Sequence, residues 1–549
     1  MTTSDQPQLA ERLTRADTVH RRRWTILAVL CLAVFVTVVD GTIVNVALPS
    51  LAVELGASTR QLQWIVDAYL LVFTGLLLAA GGLGDRFGRK RALVAGLVLF
   101  GITSAFAGSA SSANELIWGR ALMGVGAALI FPATLAILTN VFTDPGERAK
   151  AIGAWSAVTG LAVAAGPITG GWLLDQFWWG SVFYINVPVT IVAVLAAVAF
   201  VPDSKEHDAP ALDLVGLVLS ITSITALVLT IIEAPEWGWL SGRTFAGFIV
   251  AGGLVTTFVR WELRATHPML PVRIFRNLRF SAASVAITSA FFALFGFIFL
   301  VTQYFQLVQG YTPLESGVRT LPVALSIAIS SLMAPRVVER AGTTRVVMAG
   351  LTLMAIAFAW ISANSATTSY SEIIGQMILL GGGLGFTTAP ATESIMGSLS
   401  KDKAGVGSAV NDTTRELGGT LGVAVIGSVF SSVYADALAD GPVFGQLPVE
   451  AQTLTAESVG AAQIVANDLG TTAPGYLVEV SDAFMSGFGT ASLVVAFVAG
   501  AGALFAAKFL PAQAADTADD AGELTLYVPA ALVPDPLELE AKTLETTHV

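Results

Sequence analysis

Fourteen apolar runs, each close to the roughly 20 residues a helix needs to cross a bilayer, recur along this chain and leave few folds open to it. They fall at about 24–45, 60–83, 92–110, 114–139, 148–173, 180–201, 212–233, 244–261, 279–302, 315–337, 345–364, 370–396, 405–434 and 484–508. A hydrocarbon core offers no water to an unpaired peptide group, so continuous runs of this length read as membrane-spanning helices. Composition agrees: 54% of the 549 residues are hydrophobic and only 13% are charged. The first run is full length and ends in Asn-Val-Ala-Leu-Pro, with no small-residue cleavage site, so it is expected to stay as a span. The expectation is an all-α polytopic membrane protein.

Lysine and arginine resist translocation and so report orientation. With the N-terminus inside, 24 of the 29 bases fall in cytoplasmic segments. Outer loops receive only Arg60 and Arg243, while Arg120, Arg319 and Arg415 fall within spans. Both termini are therefore expected in the cytoplasm, with the protein multi-pass in the plasma membrane of a bacterium-like cell. The net charge of −11 is concentrated in the outer loop 436–482 and the tail 511–549, read as solvated polar segments. That placement gives no reason to expect a nucleic-acid partner. Cys31 is the single cysteine and His20, His207, His267 and His548 lie outside the spans, so no metal site is expected and intramembrane proton chemistry falls to carboxylates. No cofactor is expected, and no phosphate-binding G-x4-G-K-[ST] loop is present.

The loop between spans two and three reads GGLGDRFGRKR, and the one between spans ten and eleven reads PRVVERAGTTR. Glu339, Arg340, Gly342 and Arg345 repeat Asp85, Arg86, Gly88 and Arg91 at a constant offset of 254 residues. Duplicated bundles around a central site are a common transporter plan. The expected domains are an N-terminal segment 1–23, a six-helix bundle 24–203, inserted spans seven and eight with a linker at 204–278, a second six-helix bundle 279–510, and an acidic tail 511–549.

The acid-base-glycine loop of Gly81, Asp85, Arg86, Gly88, Arg89, Lys90 and Arg91 resembles the signature of the major facilitator superfamily. The fourteen-span layout resembles its drug:proton antiporter branch, the QacA-like and EmrB-like exporters. Three stretches strengthen the likeness: Asp40-Gly-Thr-Ile-Val-Asn45-Val-Ala-Leu-Pro49, Leu116-x3-Arg120-x3-Gly124-x-Gly126, and Gly153 followed by Ala162-x3-Gly166-Pro167-x2-Gly170-Gly171. Ala162 departs from the usual glycine of that pattern. The resemblance spans residues 20–510 and implies a conformational latch at the loop, holding an outward-open state. It implies a dry, leak-proof seam between the bundles at the span-five glycines.

The residues also have readings of their own. Gly88 suits a tight turn, and Asp85 can pair with Arg89 or sit at a helix N-terminus; the bases alone would also satisfy the orientation rule. Ala162, Gly166 and Gly170 recur at i, i+4 and permit close helix approach, with Pro167 allowing a bend, although ordinary packing would use the same residues. At 1.5 Å per residue, Asp40, Asp67 and Arg120 share one depth on three helices. Asp40, with Arg120 in reach, is read as a proton-binding site in a crevice between moving halves, or else as a static ion pair. Asn45 lies on another face and is expected to bond a neighbouring span. Asp67 reads as a second proton site, a contact for cationic cargo, or structural. In span thirteen Asp412 and Glu416 share a face; Arg415 either neutralises Asp412 or leaves Glu416 free to the cavity. Glu393 is expected to reach inner water, and the span-nine phenylalanines are left without a role.

Proton-coupled export of lipophilic drugs by a monomer, with small lipophilic substrates, protons and the lipid bilayer as partners, is the function these features imply. Export of a lipid or secreted metabolite, and a non-transporting sensor of the same fold, are the alternatives. No nucleophile-base pair supports an enzyme.

Overall fold

The computed structural model describes residues 5–205, 212–399 and 404–511. Fourteen of its helices are long and apolar enough to cross a membrane. They contain α1 (Asp5–Glu54), α2 (Thr59–Phe87), α3 (Arg89–Gly108), α4 (Ala113–Val141), α5 (Pro145–Gln176), α6 (Asn186–Phe200) and α7 (Leu214–Trp237). The others are α8 (Gly242–Glu262), α9 (Leu278–Gln303), α10 (Leu321–Ala341), α11 (Thr343–Ile361), α12 (Tyr370–Gly397), α13 (Ala404–Ala439) and α14 (Ala473–Phe509). Polar residues between the apolar runs set the ends. Ser58 and Gln61 close a reciprocal cap on α2, and Asp144 caps α5 just before Pro145, whose missing N–H costs nothing there.

Within the first six helices α4 packs on α2 and α3, α1 on α5, and α3 on α6. The last six repeat the plan, with α12 on α10 and α11, α9 on α13, and α11 on α14. The two basic loops also correspond: Gly88 and Gly342 each start a helix at positive φ, 112° and 81°, where a side chain would be strained. An even number of crossings returns the described chain to the side holding these loops. The inserted α7 lies against α2 and α13, burying Val228 and Ile232 with Leu71 and Ala424. Arg60 pairs with Glu233 and Glu236 at its outer end.

One expectation fails in the outer loop. Rather than a solvated strand of chain, 436–482 holds two short helices, Val449–Glu457 and Val459–Asp468, and the first turns of α14. Val459, Ala461, Ala462 and Ala466 give the second helix an apolar face, and Gly460 brings it against Ala52 of α1. Tyr434 donates to the Thr455 carbonyl beneath them, and Glu479 accepts from the Val443 and Phe444 amides. Glu479 is half-buried on those two amides and the other six acids of the loop are exposed, so seven negative charges do not prevent folding. The acidic tail lies outside the described residues beyond residue 511.

Candidate functional site

Arg120 enters the first bundle from α4 and is fully buried, a position tolerable only with its charge matched. Its Nη1 donates to Asp40 Oδ2 at 2.5 Å and its Nε to the Ile65 carbonyl at 3.1 Å. The guanidinium lies 4.3 Å from the Tyr69 ring centroid, within cation-π range. Asp40 is equally buried, and its other oxygen accepts from Asn186 Nδ2 at 2.9 Å. Asn186 also donates to Ser104 Oγ, which in turn donates to the Phe183 carbonyl. Five helical segments thus converge on one ion pair. Its partners all belong to the first six helices, so the pair lies inside one bundle and not in a crevice between two. Helix phase is the reason: Asp40 points toward α4 and α6, whereas Thr42 and Asn45 point toward α5, α9 and α10.

Asp67 shares that depth but faces the other way. It is fully buried on α2, and among the described residues neither carboxylate oxygen has a hydrogen-bond partner. One turn outward, Gln63 donates to the Ala424 carbonyl at 2.9 Å and to Ser428 Oγ at 3.2 Å, both on α13. One turn inward, Leu71 packs in the cluster that includes Ala424. An uncompensated carboxylate therefore sits where the two bundles meet.

In the second bundle Arg415 Nη1 lies 3.9 Å from Asp412 Oδ1, and the guanidinium lies 4.6 Å from the Phe291 ring centroid. Both side chains are part-exposed, 40% and 20%. Gly418 lets α13 touch α9, where a Cβ would meet the Thr288 carbonyl at 2.5 Å. Glu416 has no ion-pair partner among the described residues. Phe297 lines a cavity with Thr42, Asn45, Val163 and Ile327, between α1, α5, α9 and α10. Asn45 bonds the Gly41 and Thr42 carbonyls of its own helix rather than a neighbour, because a buried amide finds those carbonyls within reach. Glu393 is exposed.

The glycines of α5 divide between two partners. Gly166 and Gly170 pack on Thr42 and Ile43 of α1, within the first bundle. Gly171 meets the backbone of Pro313 and Leu314, and the Pro167 carbonyl meets Gly317, so only the outer part of the seam joins the bundles. Ala162 is buried, while nothing approaches the Cβ position of Gly153 at the inner end. Another link between the halves is also outer, Gln306 donating to the Val46 carbonyl, and Trp239 Nε1 in the α7–α8 turn donates to Ser432 Oγ of α13. The outer face is closed. On the inner side Asp85 accepts from Arg89 Nε at 2.7 Å, as the spacing predicts. The Arg89 amide donates to the Ser204 carbonyl and Lys90 Nζ to the Val198 carbonyl, tying the loop to its own bundle. Gly81 faces Pro132 of α4, and Arg86 stacks beside Phe87.

Sequence reasoning missed Asn186 and Ser104. Asn186 was visible as an amide within the sixth apolar run, but nothing in the spacing says that it reaches Asp40, 146 positions away.

A sequence profile described as the Major Facilitator Superfamily matches residues 30–423. Among curated proteins, the chain is 36% identical over 481 residues to the multidrug efflux pump LfrA of Mycolicibacterium smegmatis, covering 87% of this chain and 94% of that protein. It is 35% identical over 523 residues to a tetracenomycin C resistance and export protein of Streptomyces glaucescens, covering 93% and 97%. Among solved structures, a bacterial homologue of the human lysosomal transporter Spinster aligns with a TM-score of 0.65 at 16% identity, over 89% of this chain and 97% of that one.

Proposed function

Because the chain belongs to the Major Facilitator Superfamily, we propose that it is a secondary active transporter that exports lipophilic small molecules in exchange for protons, by alternating access. The single observation that carries the coupling is Asp67, a carboxylate without a partner, buried where α2 meets α13. Removing an ionised carboxylate from water without compensation costs several kcal/mol, so the closed outer face is compatible with Asp67 only when a proton neutralises it. Opening the outer face wets the same group. Proton uptake from outside is thereby linked to closure, which is the linkage that an antiporter needs.

Asp412 and Glu416 on α13 supply the second half of the exchange. We assign them to the substrate path, where a lipophilic cation and a proton would compete for the same oxygens, with Arg415 beside Asp412 limiting the charge left over. We assign Asp40 and Arg120 the fixed part: a pair held inside one bundle keeps its partners as the bundles rock. One chain carries both bundles and a cavity between them, so a monomer suffices. The relatives' names for multidrug efflux and for resistance and export support drug-like cargo.

The test is efflux of a fluorescent lipophilic cation from proteoliposomes under an imposed pH gradient. The parent should respond to the gradient, and Asp67→Asn should lose about tenfold or more of that response, equivalent to about 1.4 kcal/mol or more of transition-state free energy. Transport by the parent that ignores the gradient removes the proton exchange. Equal gradient-driven efflux by both proteins removes the role of Asp67.

A further inference from the structure

The inserted hairpin α7–α8 has no part in the exchange just described, yet its inner end holds a close pair of acids. Glu262 closes α8 with 3% of its surface exposed, and its Oε1 has no hydrogen-bond partner. Its Oε2 accepts from the Leu270 amide at 3.1 Å. Asp213, the cap of α7, accepts from the Gly216 amide and from Trp261 Nε1. A side chain on Gly216 would place its Cβ 2.5 Å from Glu262 Oε1 and 2.6 Å from Asp213 Oδ2, which puts the two oxygens within about 5 Å of each other. Among the described residues neither carboxylate forms an ion pair.

Asp213 borders a cavity of about 370 Å³ between the inner halves of α2 and α7, with Glu262 beside Asp213 but outside the lining. Leu78, Ala79, Leu83, Leu217 and Met269 give it an apolar wall, Asp213 is its one carboxylate and His267 its one imidazole. Apolar walls with one convergent polar corner, in the roughly 300–1,000 Å³ range, are the ordinary form of a small-molecule site. Two carboxylates near an indole, outnumbering the single imidazole of His267, select a positive ligand; the apolar wall selects a lipophilic one. No group of three or more histidine, cysteine or acidic side chains among the described residues is placed to hold a metal ion, which leaves an organic cation as the fit.

We infer that the inner end of the α7–α8 hairpin is a second binding site for lipophilic organic cations, built from Asp213, Glu262 and the cavity beside α2. It rests on the export reading, because it places the cargo class at the inner leaflet before it reaches the central cavity.

Equilibrium binding of radiolabelled tetraphenylphosphonium tests it. This permanent cation donates no proton, so its binding reports charge and apolar contact alone. The full chain in phosphatidylglycerol nanodiscs should bind two equivalents. The double variant Asp213→Asn/Glu262→Gln keeps the cap and the side-chain sizes, and should bind one. Ala79→Trp fills the cavity without touching either carboxylate, and should also bind one. A single equivalent in the parent, or two retained by either folded variant, overturns the site. Complete displacement of the second equivalent by phosphatidylethanolamine would assign the pair to a lipid amine and overturn it as well. Failure of gradient-driven efflux by the parent removes the export reading and leaves a measured second equivalent standing; one equivalent in a transporting parent removes only the hairpin site.

Discussion

The two buried carboxylates of the first bundle make opposite predictions, because one has partners and the other has none. Truncating Asp40 to alanine strands the Arg120 guanidinium in a fully buried site, and breaking one half of such a buried pair typically costs about 3–5 kcal/mol. Thermal unfolding in detergent should show a large drop for Asp40→Ala, and the double variant Asp40→Leu/Arg120→Leu should recover part of it. A double variant no more stable than Asp40→Ala would mean that the pair does not hold the bundle. Asp67→Asn strands nothing, so its unfolding temperature should match or exceed the parent's even as gradient-driven efflux falls. The depth of all three charges was legible by counting residues along spans. Their facing was not: a shift of one or two residues in where a span starts turns a side chain by 100° or more, enough to exchange the bundle interior for the bundle interface.

Among the helices, α5 shows how a sequence pattern can be right about closeness and incomplete about the neighbour. The i, i+4 spacing of Ala162, Gly166 and Gly170 correctly marks a face with no room for side chains, but two of the three meet α1 of the same bundle. The contact between bundles comes one position on, at Gly171, and from Gly317, which no motif marks. Small residues state that something approaches; they do not state what. Gly317→Val would drive a branched side chain into the Pro167 carbonyl across the outer seam. We expect it to favour the open outer face. In a Cys31→Ser background carrying Asn45→Cys, a membrane-impermeant maleimide added outside should label the variant faster than the parent. Unchanged labelling would show that the seam yields elsewhere. The outer helices Val449–Glu457 and Val459–Asp468 were illegible for a related reason, since alanine and valine interleaved with acids look polar on average and show an apolar face only once coiled.

For the whole molecule, the 254-residue repeat was the most informative feature, because it led to the expectation of two bundles with a hairpin between them. What no repeat can give is which face is closed. The outer bonds of Gln63 and Gln306 and the contact of Gly171 with Pro313 join the bundles at one end, while at the other end the basic loop is tied to Ser204 and Val198 of its own bundle. A contact shifts the balance between two arrangements only by the difference in its strength between them. Bonds within one bundle are the same in both, so the bond between Asp85 and Arg89 does not by itself favour this state. If the loop acts as a latch, it must gain partners on the second bundle when the inner ends come together. Asp85→Asn should then leave the closed outer face as it is and depopulate the opposite one. Spin labels at Ser58 and Gln309 should report a narrower distance distribution at the outer ends, shifted toward the short distance, than in the parent. A shift toward longer distances would mean that Asp85 stabilises the arrangement seen here, through contacts that cross between the bundles.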